Sequence, residues 1–138
     1  MYVCTILLLQ YNNKMINFKL DPISGSPFYR QIIDQIKFGI ASGNLKLGEQ
    51  LPTVRSLAVE LKVNLNTVAK AYKELEIQSI LETQQGTGTF ISHLQIEISE
   101  KEKNKKLLDI CTQFTTIAFS YGFSIKDIIN QLQKEKLL

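Results

Sequence analysis

The chain has 138 residues, a length that fits one domain, or one small domain with a short appendage. Hydrophobic residues make up 44% and charged residues 21%, which are ordinary values for a globular protein. The formal net charge is +3 and the isoelectric point is near 8.8, so charge permits a polyanionic partner without requiring one. So short a chain leaves little room for a large internal substrate site, and we expect its function at a surface or a subunit interface.

The cysteine and histidine pattern argues against a metal site. Cys4 and Cys111 lie in no CxxC spacing, and His93 is the only histidine, so no metal ion and no cofactor are expected. Unpaired thiols favour a reducing, cytoplasmic compartment, with Cys111 interpreted as an incidental buried residue. Neither a Ser/His/Asp set nor a phosphate-binding glycine loop after a strand is present, so the protein is not expected to be an enzyme.

Residues 1–14 are predicted to be an upstream extension of doubtful role. The apolar run in residues 1–9 is too short to span a bilayer and has no basic residue before it, so no membrane association is expected. Met15 offers a second start to the chain. A disordered tail and an extra edge strand remain alternatives for this extension.

Residues 15–93 are predicted to form the main domain, which opens with an arm and a helix. Alternating apolar and polar residues indicate a very short strand or an extended arm at Ile16, Phe18 and Leu20. Apolar residues then recur at helical spacing from Ile32 to Ile40. The sequence predicts that Ser26 caps this helix and that Pro27 occupies its first turn.

Two further helices follow with only a short break between them. Thr53 is placed to cap the first helix, which turns Leu57, Ala58 and Leu61 inward. The second helix begins after Val63-Asn64, with Asn66 or Thr67 as its cap. Its predicted apolar face consists of Val68, Ala71, Tyr72, Leu75 and Ile77. Two short helices joined in this way are the helix-turn-helix arrangement.

The helix-turn-helix is followed at once by a predicted β-hairpin. Residues 80–84 and 89–91 resemble strands, and Gln85-Gly86-Thr87-Gly88 joins them. Glycine on both sides of the tip is what a tight hairpin requires. The predicted fold class is therefore mainly α with a small β-hairpin: a winged helix-turn-helix followed by a short two-helix C-terminal dimerisation element.

Residues 94–138 are predicted to form this dimerisation element. A charged run leads into a helix that Gly122 ends, and Ser124 is placed to cap a last helix. Two helices this apolar need a partner, most simply the same pair from a second subunit. The predicted dimerisation residues are Leu107, Leu108, Cys111, Phe114, Ile117, Ala118, Tyr121, Ile125, Ile128, Ile129 and Leu132.

Three motifs resemble the GntR family of bacterial transcription regulators. They are GNLKLGEQLPTVRSLA at residues 43–58, VNLNTVAKAY at 63–72 and GTGTF at 86–90. The second motif and the compact C-terminal part resemble the YtrA-type branch, in which a small two-helix element replaces a large metabolite-binding domain. The chain departs from the family pattern at Leu47, usually Pro, at Leu65, often Pro or Arg, and at Ser79, where Gly is common.

The resemblance implies a sequence-specific regulator, most simply a repressor, that binds a pseudo-palindromic double-stranded DNA operator as a homodimer. Arg55 is then a phosphate or base contact, and a surface salt bridge with Glu49 or Glu60 is the alternative. The asparagines that open the second helix suit base edges in a major groove, although they are also good caps. The predicted DNA-binding residues are Thr53, Arg55, Asn64, Asn66, Thr67, Lys70, Gln85, Gly86, Thr87 and Gly88.

A winged-helix protein-interaction module without DNA binding is the competing interpretation. Glutamates offset the lysines and the arginine in the central segment, and this near-neutral balance supports it. Retention on heparin or on random DNA at low salt would distinguish the two functions. No effector is assigned, because the short C-terminal part leaves little room for a metabolite pocket, although the dimer seam offers a place for a small molecule.

Overall fold

The computed structural model describes residues 16–135, which contain five helices and a small sheet. The predicted extension at residues 1–14 lies outside the described residues. The chain divides into two compact units, of which the first ends at Glu97 and the second begins at Ile98. In chain order the elements are α1 (Phe28–Ala41), β1 (Gln50–Leu51), α2 (Val54–Leu61), α3 (Leu65–Ile77), β2 (Leu81–Gln84), β3 (Gly88–Ile91), α4 (Glu100–Ser120) and α5 (Ile125–Lys134).

A single apolar core holds the first unit together. Helix α3 packs against both α1 and α2, and each helix contributes one apolar face. The buried residues of α3 are spaced three or four apart, so the opposite face of this helix lies in solvent. The largest fully buried side chains of the core are Ile32, Ile33, Ile36, Leu45, Leu57, Val68, Leu75 and Ile91.

The sheet has three antiparallel strands in the order β1-β3-β2. Strands β2 and β3 form the predicted hairpin, with Leu81 opposite Ile91 and Gln84 opposite Gly88. Strand β1 was not predicted, because two residues are too few to show an alternating pattern. Its Leu51 pairs with Thr89 and so joins the segment before α2 to the hairpin. The fold is mostly helical with a small antiparallel sheet, which confirms the predicted winged helix.

The predicted N-terminal cap is confirmed for α2 but not for α3. The Thr53 hydroxyl accepts a hydrogen bond from the N–H of Ser56 at 3.1 Å and caps α2, as predicted. Helix α3 is capped by Asn64, whose Oδ1 accepts from the N–H of Asn66 at 2.8 Å. The prediction that Asn66 or Thr67 caps α3 is therefore wrong, since the helix begins at Leu65, directly after the Val63-Asn64 break, and includes both residues in its first turn.

The prediction that Ser26 caps α1 is also wrong. Pro27 takes the N-cap position, where it makes no side-chain cap hydrogen bond. The residue before a proline is held in an extended conformation, which places Ser26 outside the helix. Its carbonyl accepts instead from Nε2 of the buried Gln31 at 2.8 Å. Upstream, residues 16–20 form no strand, and Phe18 is buried in the core.

The end of α3 differs from the predicted apolar face. Ile77 is 74% exposed, so its assignment to that face is wrong. The chain turns immediately after the helix, and the N–H of Ile80 donates to the carbonyl of Leu75 at 2.9 Å. Ile80 thereby occupies the buried position at this end of the core.

Ser79 lies in this turn and has a φ of +59°, in the left-handed region. A side chain in this region costs roughly 1–2 kcal/mol, whereas glycine adopts it freely. We expect Ser79→Gly to raise the free energy of unfolding by about 0.5–1 kcal/mol, measured by urea unfolding. Ser42→Gly is the matched control and should destabilise, because Ser42 caps the end of α1 at a φ of −84°. Loss of stability in Ser79→Gly would contradict the expectation.

The second unit is a pair of helices without a core of its own. Ser99 and Ser124 each form a capping box, with Glu102 and Asp127 respectively. Hydrogen bonds from the backbone and side chain of Ser124 lower the pKa of Asp127. No residue of α4 or α5 is buried, and the interpretation of Cys111 as a buried residue is wrong for the single chain, since Cys111 is exposed.

A cleft of about 490 Å³ lies within the second unit. Its apolar lining residues belong to the predicted dimerisation set, apart from Phe123. Of that set, Ala118, Ile128 and Leu132 are half-buried and the other members are exposed. The cleft is lined by Phe114, Ala118, Phe123, Asp127, Ile128, Asn130, Gln131, Leu132 and Lys134.

Candidate nucleic-acid interface

The first turn of α3 is an exposed polar edge. Asn64 and Asn66 are both exposed, and Thr67 is half-buried. The Asn64 Oδ1 atom is engaged as the cap, but its amide nitrogen remains available, and the Asn66 side chain makes no hydrogen bond within residues 16–135. Leu65, between the asparagines, is 45% exposed. This edge therefore presents amide donors and acceptors beside one apolar side chain.

Arg55 lies in the first turn of α2 and is exposed. In the part of the chain that the structure describes, neither Glu49 nor Glu60 forms a salt bridge with Arg55. The Oε2 atom of Glu49 accepts instead from the N–H of Lys46 at 2.9 Å. The guanidinium group consequently remains open to an anion next to the start of a helix.

Negative charge is absent from the start of both helices of the helix-turn-helix. Neither α2 nor α3 has an acidic residue in its first turn, whereas α4 and α5 both do. The glutamates of α3 lie in its second half and are engaged there. Glu74 pairs with Arg30 at 3.9 Å, and Glu76 accepts a hydrogen bond from the Thr83 hydroxyl. A helix start without an acidic side chain leaves the positive end of the helix dipole available to a negatively charged ligand.

The tip of the hairpin, here called the wing, is exposed and braced from β1. Gln85, Gly86 and Thr87 are exposed and Gly88 is half-buried. The Gln50 Nε2 atom donates to the Thr87 carbonyl at 3.1 Å. A Cβ at Gly88 would stand 2.5 Å from that nitrogen, so glycine leaves space for the brace. Sequence reasoning missed Gln50, because no local pattern marks a residue of an unpredicted strand.

Tyr72 fixes α3 relative to the segment that precedes α2. It is buried, and its hydroxyl donates to the Pro52 carbonyl at 2.7 Å. Burial raises the pKa of Tyr72, and the nearby Glu60 carboxylate raises it further. The hydroxyl therefore stays protonated and keeps donating, which holds the exposed edge of α3 in one orientation.

Lys70 lies on α3 one turn after Asn66, four residues along the same face, and is exposed. Its ammonium nitrogen lies 3.8 Å from the centroid of the Tyr29 ring on α1. Tyr29 is half-buried and packs against the core. Its contact with Lys70 was not predicted, since the two residues are far apart in sequence.

The structure describes no groups that indicate a metal centre or a membrane span. Among residues 16–135, no cluster of three or more His, Cys, Asp or Glu side chains is placed to hold a metal ion. None of the described helices is both long enough and apolar enough to cross a bilayer.

Residues 28–91 match the family model "Bacterial regulatory proteins, gntR family". The HTH-type transcriptional repressor YtrA of Bacillus subtilis (strain 168) is 51% identical over 74 residues, which are 54% of this chain and 57% of the repressor. The uncharacterized HTH-type transcriptional regulator YhcF of the same organism is 34% identical over 110 residues, which are 80% of this chain and 90% of that protein.

A solved structure extends the likeness. YtrA from Sulfolobus acidocaldarius, a GntR-family transcription factor, is 33% identical with a TM-score of 0.51, and the match covers 84% of this chain and 93% of that one. The matched family region contains the helix-turn-helix and the wing described above. The chain belongs to the GntR family of DNA-binding transcription regulators, in its YtrA-type branch.

Proposed function

We propose that this protein is a repressor that binds a pseudo-palindromic DNA operator as a homodimer. The observation that carries the proposal is the first turn of α3, which is polar, exposed and free of carboxylates on a helix whose other face is fixed in the core. Recognition helices enter the major groove by their N-terminal residues. An edge held in one orientation by buried residues is suited to reading base edges.

The proposed contacts divide into base readout and phosphate binding. The Asn66 amide has the donor and acceptor that adenine requires, and the Asn64 amide nitrogen and Thr67 hydroxyl lie beside it. Arg55 and Lys70 supply positive charge to phosphates on either side of this edge. The remaining contacts come from the Thr53 hydroxyl and from the wing, where small residues allow a close approach to the minor groove or the backbone: Gln85, Gly86, Thr87 and Gly88.

The proposed dimer forms through α4 and α5. Neither α4 nor α5 has a buried residue, so their apolar side chains need cover from outside the two helices. Along α4 and its C-cap residue they recur at alternating intervals of four and three residues, the spacing of a coiled-coil seam: Leu107, Cys111, Phe114, Ala118 and Tyr121. The cleft lined by Phe114 and Phe123 offers space for side chains of the second copy.

The simplest mechanism of repression is that the bound dimer occupies the promoter. A symmetric dimer presents two α3 helices to half-sites about one helical turn, ~10 bp, or a larger multiple apart. A dimer bound across a promoter excludes other proteins from it. The Bacillus subtilis YtrA protein, to which this chain is similar, is named as a transcriptional repressor. We place this action in the cytoplasm, where the DNA of such regulators lies, and assign no effector to it.

The substitution Arg55→Ala tests the DNA contact. An operator is first selected from random-sequence duplexes with the full chain, and affinities are then measured by gel shift. We expect a loss of about 10- to 100-fold, because each dimer loses two charged contacts and each is worth about tenfold. Lys101→Ala removes the same charge from an exposed position on α4 and should change the affinity by less than about twofold.

Two outcomes would contradict the proposal. Unchanged affinity in Arg55→Ala would remove this residue from the interface. Failure to enrich any sequence, together with no retention on heparin at low salt, would favour the protein-interaction module instead.

A further inference from the structure

We infer that Tyr29 and Arg30 of α1 are positioning residues that present the Lys70 ammonium group of α3 to a DNA phosphate. The inference rests on the proposed function. It assigns to α1, which holds none of the predicted contacts, a part in the phosphate-binding side of the interface.

Two cations lie near the ring of Tyr29. The Lys70 Nζ atom lies 3.8 Å from the ring centroid, and the Arg30 Cζ atom lies 5.7 Å from it. Cations within about 6 Å of a ring centroid are attracted by the negative face of the ring. The ring itself is anchored, because Tyr29 is half-buried and packs against the core. A flexible lysine side chain is thereby restrained, although Lys70 as a residue remains exposed.

The contact with the ring leaves the charge of Lys70 intact. A carboxylate partner would neutralise the ammonium group, whereas an aromatic ring carries no net charge. Restraining an exposed lysine before binding also reduces the rotamer freedom lost when it contacts a phosphate. The Tyr29 ring therefore favours phosphate binding in a way that a salt bridge would not.

A carboxylate that could compete for Lys70 lies on the same helix. Glu74 follows Lys70 by four residues, the spacing at which side chains on a helix meet. The Glu74 Oε1 atom pairs instead with the Arg30 Nη1 atom at 3.9 Å. No carboxylate of the described residues forms an ion pair with Lys70. Helix α1 thus supplies the Tyr29 ring, which contacts the Lys70 ammonium group, and Arg30, which pairs with the Glu74 carboxylate.

The start of α1 adds no negative charge to this group. It has no acidic residue in its first turn and no side-chain cap. Arg30, Lys70 and Glu74 together carry a net charge of +1, because they comprise two cations and one carboxylate. The excess positive charge lies one turn along α3 from Asn66, where a phosphate flanking the base-reading edge would lie.

The test is a double-mutant cycle on DNA affinity. The full chain is titrated by fluorescence anisotropy into a mixed-sequence duplex of about 30 base pairs over a series of KCl concentrations. Lys70→Gln should lower the affinity and reduce the slope of log K against log[salt] by about 0.9 for each bound protomer. Tyr29→Leu should weaken binding by about threefold in the wild-type background and leave affinity unchanged in the Lys70→Gln background.

A conservative variant separates positioning from folding. Tyr29→Phe keeps the aromatic face and should bind within about twofold of the wild type, with thermal unfolding used to confirm that every variant is folded. A loss in Tyr29→Phe as large as that in Tyr29→Leu would overturn the role of the ring. Equal losses from Tyr29→Leu in both Lys70 backgrounds, or none in either, would overturn it as well.

The positioning role of Arg30 is tested by combining its substitution with a substitution of Glu74. Arg30→Gln should weaken binding by about two- to threefold, and adding Glu74→Gln should restore the affinity, because the freed carboxylate is then removed. Without restoration, the positioning role of Arg30 is overturned. A wild-type chain that does not bind the duplex at low salt defeats the proposed function together with this inference, whereas normal wild-type binding with an insensitive Tyr29→Leu defeats the inference alone.

Discussion

Replacing Phe114 by glutamate is expected to convert the protein to a monomer and to lower operator affinity by about 100-fold or more. Phe114 is 51% exposed in the single chain, lies on the apolar stripe of α4 and lines the cleft of the second unit. In the proposed dimer the new carboxylate would be buried without a partner, once in each subunit. Loss of the second subunit removes the gain in effective concentration, which typically multiplies affinity by about 10²–10⁴.

Light scattering after size exclusion at micromolar concentration measures the first effect, and a gel shift with the selected operator measures the second. Gln113→Glu is the matched control, since it adds the same charge at the adjacent exposed position. It should remain dimeric and retain its affinity. A wild-type chain that is monomeric at this concentration, or a Phe114→Glu variant that stays dimeric, would show that α4 does not form the seam.

Replacing Leu75 by alanine should lower the free energy of unfolding by about 3 kcal/mol. The Leu75 side chain is completely buried on α3, which packs against both α1 and α2. Truncation removes apolar contacts and leaves a cavity that the surrounding helices only partly fill. A loss of this size is a large share of the ~5–15 kcal/mol that stabilises a typical domain.

Urea unfolding followed by circular dichroism provides the measurement. Ile77→Ala is the control on the same helix, and it should change stability by less than about 0.5 kcal/mol because Ile77 is 74% exposed. Similar losses in the two variants would mean that Ile77 is buried in solution. That result would restore the apolar face as the sequence predicted it and contradict the turn seen after α3.

Local signals account for the elements that could be predicted. Helical spacing, the Thr53 cap and the glycines beside the wing each operate within one turn or one hairpin. They indicated the two helices, the hairpin and hence the winged fold. The same spacing does separate Leu75 from Ile77, because residues two apart on a helix do not share a face. An apolar side chain at position 77 was therefore not enough to predict burial.

The amino-acid sequence by itself indicated the winged helix-turn-helix through local periodicity and turn residues. It indicated the family through the resemblance of three motifs that follow one another along the chain. Only the tertiary structure decided how distant segments meet: Gln50 bracing the wing, Tyr72 bonded to Pro52, and Lys70 over the ring of Tyr29. Such contacts arise when the shared core brings separate elements together, and no local pattern of residues encodes which side chains then become neighbours.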